Sequence, residues 1–295
     1  MKILNFGSLN VDKVYTMHHF VKPGETISSL KYEVFCGGKG LNQSIALAMA
    51  GAEVYHAGKV GADGEILTKR LKAAGVDITH ISTVTDTPTG HAVIQVEATG
   101  QNCIILFGGA NRAITFADAD KVFEMFSEGD ILLLQNEISS LQYILQKAKE
   151  KKMTIIVNPS PVDETLLEMD LSMVDYFIMN EIEGHAFTQK EEAKSICEAM
   201  QKKYSRCKVA LTLGKRGVMY SDAVQSISCE AYKVKVIDTT AAGDTFTGYF
   251  IAGLVEGAQM ENILQTACKA AAIAVGRNGA ADSIPTMEEV RGFSL

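Results

Sequence analysis

The chain has 295 residues, a formal net charge of −7 and 47% hydrophobic residues, enough for one large core or two small ones. This composition excludes a mainly disordered chain, and the acidic balance excludes a general binder of nucleic acid, which needs a positive field. No run approaches the roughly 20 apolar residues of a membrane helix, and the N-terminus has no signal-peptide pattern. We therefore expect a cytoplasmic protein with neither nucleic acid nor membrane as a partner.

Short apolar runs alternate along the chain with amphipathic segments of helix length. The predicted strands are Ile3–Phe6, Val54–Ala57, Ile131–Leu134, Thr154–Val157, Tyr176–Met179 and Val209–Leu213. The predicted helices lie near Gly40–Ala50, Glu65–Ala74, Ser140–Lys151, Glu191–Tyr204 and Asp244–Val255. Because strands that alternate with helices form βαβ units, the pattern predicts an α/β fold with a central, mostly parallel sheet flanked by helices.

Two stretches interrupt this alternation, Val11–Val34 and His91–Phe107. In the second, Ala98 through Asn102 is typical of a hairpin loop between two short strands. We expect a single α/β domain over residues 1–295, with a small β-sheet lid built from about residues 11–34 and 91–107. A lid over the carboxyl ends of a parallel sheet would cover a substrate, although an edge hairpin without a function fits the same pattern.

The most informative stretch runs from Asp238 to Gly248, where an apolar strand end leads through small residues into a helix. Backbone N–H groups at such a helix start can approach an anion closely, and the helix dipole favours negative charge there. The turn Ala241-Ala242-Gly243-Asp244 could thus stabilise a phosphoryl group in transfer, with Asp244 as general base. Taken alone, the turn is better explained by Asp244 capping the helix, since Asp is a favoured N-cap residue.

Several motifs together resemble those of the ribokinase-like (PfkB) carbohydrate kinases. Asp238 through Gly248 is similar to the family's C-terminal signature, and Gly37-Gly38-Lys39-Gly40-Leu41-Asn42-Gln43 is similar to its N-terminal one. Between them, in the family's order, lie Asn158-Pro159-Ser160-Pro161, Asn180-Glu181-Ile182-Glu183 and the block from Leu213 to Val218. The resemblance covers essentially the whole chain and implies a ribokinase-like α/β fold. The sequence contains no GxxxxGK[ST] P-loop and no GxGxxG after the first strand, so it lacks the motifs of two other common nucleotide sites.

The resemblance implies an ATP-dependent sugar kinase whose general base is Asp244, with the backbone of Ala241, Ala242 and Gly243 beside the transferred phosphate. The residues implied at the sugar are Asn10, Asp12, Gly38, Lys39, Asn42, Glu137 and Asp244. Lys39 and Gln43 favour the members that phosphorylate D-ribose at its 5-hydroxyl. A nucleoside, deoxyribose, fructose or a sugar phosphate remains open as the substrate, and so does a non-catalytic sugar-binding protein on the same fold.

The resemblance also implies a nucleotide site and two ion sites. The nucleotide residues are Asn180, Thr212, Gly214, Gly217 and Lys269. Glu183 would help to place Mg²⁺ indirectly, although Asn180 and Glu183 are also typical of a capping box at a helix start. The implied K⁺ site comprises Asp238, Ser283 and the carbonyls of Thr240, Ala274, Arg277 and Gly279, whereas Asp238 taken alone is an ordinary strand-end acid.

Two positions depart from the family pattern. Lys269 stands where the related kinases more often have His or Asn near the adenine pocket. His91 is unusual in a lid strand, and we interpret it as a packing residue of the lid. Because lids of this kind often pair, the resemblance further implies a homodimer through the lid.

Overall fold

The computed structural model describes residues 1–97 and 99–293, so Ala98 of the predicted hairpin loop lies outside the described residues. The strands are β1 (Ile3–Phe6), β2 (Asn10–Met17), β3 (Lys31–Gly37), β4 (Val54–Val60), β5 (Asp77–Thr83), β6 (Gly90–Glu97), β7 (Asn102–Phe107), β8 (Ile131–Gln135), β9 (Thr154–Asn158), β10 (Tyr176–Asn180), β11 (Lys208–Thr212), β12 (Val218–Ser221) and β13 (Ser226–Cys229). The α-helices are α1 (Lys39–Met49), α2 (Glu65–Ala73), α3 (Phe116–Phe123), α4 (Leu141–Glu150), α5 (Glu164–Glu168), α6 (Glu181–Thr188), α7 (Ala193–Lys203), α8 (Ala242–Val255), α9 (Met260–Val275) and α10 (Met287–Gly292).

The larger sheet has nine strands in the order β13-β12-β11-β10-β9-β8-β1-β4-β5. All neighbours from β11 to β5 are parallel, while β12 and β13 extend one edge with antiparallel pairs. The predicted α/β fold with a central, mostly parallel sheet is therefore confirmed. The sequence prediction omitted β5, β12 and β13 at the two edges of the sheet.

Helices cover both faces of this sheet and divide the core in two. On one face α1 and α8 bury Leu41, Ile45 and Phe250 against the strands, and on the other α3 and α4 bury Phe123 and Ile144. Strands covered on both faces are mainly apolar, as in the fully buried β8, where only the last residue, Gln135, is polar. Burying each large apolar side chain contributes roughly 1.5–3 kcal/mol, so the central strands carry much of the stability.

The connectivity of the sheet reverses beside β1. From β1 the chain builds β4 and β5 on one side of the sheet and later adds β8 and β9 on the other. In open α/β sheets such a reversal leaves a crevice at the carboxyl ends of the two strands that flank it. The crevice at the ends of β1 and β8 is therefore where a ligand site is expected.

The second sheet has four strands in the order β3-β2-β6-β7, and β2 begins shortly after the carboxyl end of β1. The predicted boundary at Val34 is wrong, because β3 continues to Gly37, which pairs with Asn10. Glycine is uncommon inside strands, so the end of β3 left no strand signal in the sequence. The edge strand β7 is exposed along its length and presents the apolar side chains of Ile104, Ile105, Leu106 and Phe107.

Helices α1 and α8 pack closely although they lie far apart in sequence. A Cβ added to Gly248 would come within 2.4 Å of the Ala46 Cβ, so only glycine permits this approach. The first turns of both helices consequently lie side by side at the same edge of the sheet. Among the described residues, no helix is long and apolar enough to cross a membrane.

Candidate active site

Polar side chains end the parallel strands along one edge of the larger sheet. Gln135, Asn158, Asn180 and Thr212 are the last residues of β8, β9, β10 and β11. Beside them is a cavity of about 220 Å³, and its lining includes the start of α8 together with Lys39, Asn158, Asn180, Glu183 and Thr212. The carboxyl ends of β9, β10 and β11 thus form the floor of a polar cavity, which lies beside the crevice expected at the ends of β1 and β8.

Asp244 is the third residue of α8, which begins at Ala242 rather than at Asp244. The N-cap residue is Ala241, with φ 59°, and no side chain caps the helix. The capping interpretation of Asp244 is therefore wrong. Its carboxylate is 8% exposed and accepts hydrogen bonds from other elements instead: Asn42 Nδ2 lies 3.0 Å from Oδ2, and Gln43 Nε2 lies 2.8 Å from Oδ1.

The turn before Asp244 leaves open space in front of the helix start. Ala241, Ala242 and Gly243 all line the cavity. A Cβ added to Gly243 would meet no described atom within 4 Å. Since the first N–H groups of a helix have no partner within it, this turn can donate to an anion that enters the cavity.

Asp12 lies on β2, beside the backbone of β3. A Cβ added to Gly37 would come within 2.1 Å of Asp12 Oδ2, so glycine at this position makes room for the carboxylate. Burial and the nearby charge of Glu137 raise the pKa of Asp12 from 3.8 to about 7. On the same strand, Asn10 is buried and its Oδ1 accepts a 2.8 Å hydrogen bond from Asn111 Nδ2.

Glu137 follows β8 and links the residues after β1 to the start of α1. Its Oε2 accepts hydrogen bonds from the Ser8 hydroxyl and, at 3.1 Å, from the Lys39 backbone N–H. Burial raises the pKa of Glu137, and this outweighs the opposing effect of Ser8 and Lys39. For the Lys39 side chain, burial would lower the pKa, but the charges of Asp244, Glu137 and Glu183 outweigh it and raise the pKa. The charges of three carboxylates therefore act on one ammonium group, and carboxylate oxygens can accept hydrogen bonds from hydroxyl groups.

Asn180 and Glu183 form the predicted capping box at the start of α6. The Glu183 N–H donates to Asn180 Oδ1, and the Asn180 N–H donates to Glu183 Oε2, each at 2.9 Å. Both residues also line the cavity, so a structural role does not exclude a role toward a ligand.

Three residues of the predicted nucleotide site do not line this cavity. Gly214 and Gly217 flank a short 3₁₀ turn after β11, with φ values of 56° and 96°. Lys269 lies on α9, with its ammonium 5.9 Å from the centre of the Phe293 ring. The described residues thus bring only Asn180 and Thr212 of the predicted nucleotide set to the cavity wall.

Asp238 connects two loops. The predicted strand end before it is wrong, because β13 ends at Cys229 and none of the described residues between it and the start of α8 at Ala242 forms a strand. The Asp238 Oδ1 accepts from the Thr240 N–H at 2.9 Å and from the Thr240 hydroxyl at 2.6 Å, while Oδ2 accepts from the Gly279 N–H at 3.1 Å. Burial would raise the pKa of Asp238, but these hydrogen bonds together lower it.

Among the other residues of the predicted K⁺ site, Thr240 lies beside Asp238 before α8, Ala274 lies in the last turn of α9, and the rest follow that helix. The Ala274 carbonyl accepts from the Arg277 N–H at 3.0 Å, and the Ser283 hydroxyl donates to the Ala280 carbonyl at 2.8 Å. Within the described residues, no group of three or more His, Cys, Asp or Glu could hold a metal. One carboxylate with several carbonyls suits a large monovalent cation better than a transition metal.

Several residues of the site escaped the sequence analysis. Ser8 and Asn111 hydrogen-bond to the predicted site residues Glu137 and Asn10, and Gln135 donates to Gln43. A polar residue at the end of an apolar strand is the one signal that could have indicated Gln135. His91 packs on Phe107, with ring centres 5.1 Å apart, which confirms its interpretation as a packing residue.

Comparison with known proteins agrees with this geometry. The pattern of the pfkB family carbohydrate kinases matches residues 1–287. A ribokinase of Haemophilus influenzae is 36% identical over an alignment of 295 positions, and the alignment covers 97% of this chain and 96% of the relative. The structure of an Arabidopsis thaliana ribokinase complexed with ribose and ATP is similar at a TM-score of 0.87 and 30% identity, with 99% of each chain covered. The structure of a Cryptococcus neoformans ribokinase in complex with ADP has a TM-score of 0.87 at 32% identity, again over 99% of each chain.

Proposed function

Since the chain belongs to the pfkB family of carbohydrate kinases, we propose that it transfers the γ-phosphate of ATP to the 5-hydroxyl of D-ribose. The observation that carries this proposal is the setting of Asp244. Its carboxylate is held by two side-chain amides at the wall of a polar cavity, beside a helix start that is open to an anion. A base and a phosphate site are thereby adjacent, as in-line phosphoryl transfer requires.

In the proposed reaction, Asp244 accepts the proton of the 5-hydroxyl as the oxygen forms its bond to the γ-phosphorus. The bond from that phosphorus to the bridging oxygen breaks, and ADP leaves. The backbone N–H groups of Ala241, Ala242 and Gly243 stabilise the charge on the transferred group. The Lys39 ammonium, on which the charges of three carboxylates act, would balance charge between the sugar and the phosphates.

The sugar is assigned to the carboxylates of Asp12 and Glu137. Asp12 and Glu137 repel each other when both are ionised, and hydroxyl donors from a sugar would relieve that repulsion. The buried Asn42 Oδ1 has no hydrogen-bond partner among the described residues and suits the same kind of donor. Asn10 and Gly38 complete the proposed sugar site, and the four-stranded sheet would act as its lid within a single domain.

The nucleotide is assigned to the side of the cavity formed by Asn180 and Thr212, with Gly214, Gly217 and Lys269 as outlying contacts. Mg²⁺ carried by the phosphates would neutralise their charge, and Glu183 is placed to bind its water ligands. K⁺ is proposed at Asp238 and Ser283 with the carbonyls of Thr240, Ala274, Arg277 and Gly279, where it would steady the turn that leads to Asp244.

A homodimer through the small sheet is supported by β7, whose exposed edge presents the apolar side chains of Ile104 to Phe107. The cytoplasm is the proposed location because it supplies ATP.

The test is an ADP-release assay over D-ribose, deoxyribose, fructose, a nucleoside and a sugar phosphate, run in K⁺ and then in Na⁺. We expect D-ribose to have the highest kcat/KM and K⁺ to raise the rate. The variant Asp244→Asn should lose about 10²- to 10⁴-fold in kcat, the range for removal of a general base. No turnover of D-ribose would refute the substrate, and an unchanged rate in Asp244→Asn would refute the base.

A further inference from the structure

Gln43 contacts Asp244 without reaching the cavity. Its side chain is 0% exposed and is not part of the cavity wall, whereas Asn42 and Asp244 keep some exposure. Gln43 Nε2 donates to Asp244 Oδ1 at 2.8 Å and to Asn158 Oδ1 at 3.0 Å. Any influence of Gln43 on the reaction must therefore pass through the groups that it holds.

The orientation of the Gln43 amide is determined from one side by the backbone of α1. Asn5 Nδ2 lies 2.8 Å from the Gly40 carbonyl, which can only accept, so the Asn5 Oδ1 must face the other way. That oxygen accepts from Gln135 Nε2 at 3.0 Å, and the same nitrogen donates to Gln43 Oε1 at 2.7 Å. With its oxygen so engaged, Gln43 can present only its N–H groups to Asp244.

The neighbouring strands require the same orientation from the opposite side. Asn158 Nδ2 donates to the Ile178 carbonyl at 2.8 Å, so Asn158 Oδ1 is turned toward Gln43. An oxygen there requires a donor, and Gln43 Nε2 supplies it. Two backbone carbonyls on different elements thus independently determine which end of the Gln43 amide meets the carboxylate.

We propose that Gln43 is a positioning residue for Asp244, and that Gln135 and Asn5 act through Gln43 by preventing its amide from reversing. Asn42 and Gln43 each hold one carboxylate oxygen, so together they determine the rotation of the Asp244 side chain and leave its remaining lone pairs for the sugar hydroxyl. A reversed Gln43 amide would place an oxygen against the carboxylate and repel it. This inference rests on the proposed function, in which Asp244 is the base.

The experiment is a double-mutant cycle of Gln43→Met and Gln135→Met, since methionine keeps the length of glutamine and removes its hydrogen bonds. We measure kcat and the KM for ATP with D-ribose, and the melting temperature of each variant. Gln201→Met is the matched control, because Gln201 is half-buried and donates to Ser221 Oγ at 3.2 Å.

We expect Gln43→Met to lower kcat by about 10- to 100-fold, with the KM for ATP within about twofold of the wild-type value. Gln135→Met should lower kcat by about threefold to tenfold alone and by less than about twofold in the Gln43→Met background. The control should retain the wild-type kcat. A kcat that is unchanged in Gln43→Met, or two effects that simply multiply, would overturn the proposal.

Crystal structures of the wild type and of Gln135→Met give a test that does not depend on the substrate. The proposal requires the Asp244 carboxylate to rotate or to adopt more than one orientation in the variant. An identical orientation at full occupancy would overturn it, even if D-ribose proved not to be the substrate. Wild-type protein that turns over no sugar would instead refute the proposed function and leave this structural comparison to decide the inference.

Discussion

The substitution Asp12→Asn should stabilise the ligand-free protein, and the gain should grow with pH. Asp12 has a folded-state pKa of about 7 against an ordinary value of 3.8, because burial and Glu137 disfavour its charged form. Below about pH 4 both the folded and the unfolded chain hold the proton, so Asp12 costs nothing. As the pH rises toward 7 the unfolded chain releases the proton first, and the folded state becomes progressively disfavoured.

The magnitude follows from the two pKa values. A difference from 3.8 to about 7 corresponds to about 4 kcal/mol above neutral pH, at about 1.36 kcal/mol for each pKa unit. Asp12 is only partly shielded from solvent, which reduces this to about 2–4 kcal/mol. From pH 5 to pH 8 the stability difference between variant and wild type should widen by about 1–3 kcal/mol.

Urea unfolding at pH 5 and pH 8, at constant ionic strength, measures this difference. The exposed Asp86 provides the control Asp86→Asn, which should change stability equally at both values. In saturating D-ribose the wild type should become more stable than Asp12→Asn, because ligand binding stabilises the wild type and the variant loses this gain. A stability difference that is the same at pH 5 and pH 8 would show that Asp12 is not held under electrostatic strain.

Other substitutions test the contacts that surround the base. Gly248→Ala forces α1 and α8 apart and should cost about 1–3 kcal/mol of unfolding free energy and lower kcat, whereas Gly292→Ala, whose Cβ would meet no described atom within 4 Å, should do neither. Lys39→Met should lower kcat/KM for the sugar by about 10- to 100-fold in steady-state assays, because its buried carboxylate neighbours lose their counter-charge; a twofold effect would contradict this. Glu183→Gln keeps the capping geometry, so the melting temperature should hold while the Mg²⁺ concentration for half-maximal rate rises several-fold; an unchanged Mg²⁺ requirement would restrict Glu183 to capping.

The sequence predicted the strands in which the local pattern of apolar and polar residues matches their burial in the structure. The run Ile131–Leu134 is apolar because both faces of β8 are covered, and it was predicted as a strand, whereas the polar Gln135 that ends β8 was left out. The edge strand Asp77–Thr83 was missed because it is only half-buried and includes the polar residues of DITHIST.

The candidate site was predictable where a motif marks it, and not where its partners come from distant segments. Asp244 was assigned as the base because its turn and the other motifs together resemble those of a kinase family, but no spacing in the sequence indicates that Asn42 and Gln43 would hold its carboxylate. Lys269 was assigned to the nucleotide only by the family resemblance, while the structure packs it against Phe293 outside the cavity wall. Side-chain contacts between distant elements depend on the finished packing and have no local signature.

The hydrogen bond between Asn42 and Asp244 joins residues that are 202 positions apart. During synthesis at about 5–20 residues per second, roughly 10–40 s would pass between the appearance of the first residue and that of the second. Throughout that interval the side-chain amides of Asn42 and Gln43 lack the Asp244 carboxylate to which they donate. The surface of α1 at Ala46, against which Gly248 of α8 packs, is uncovered as well. A nascent chain that stops before α8 would therefore expose the apolar face of α1 until about the last fifth of the protein is made.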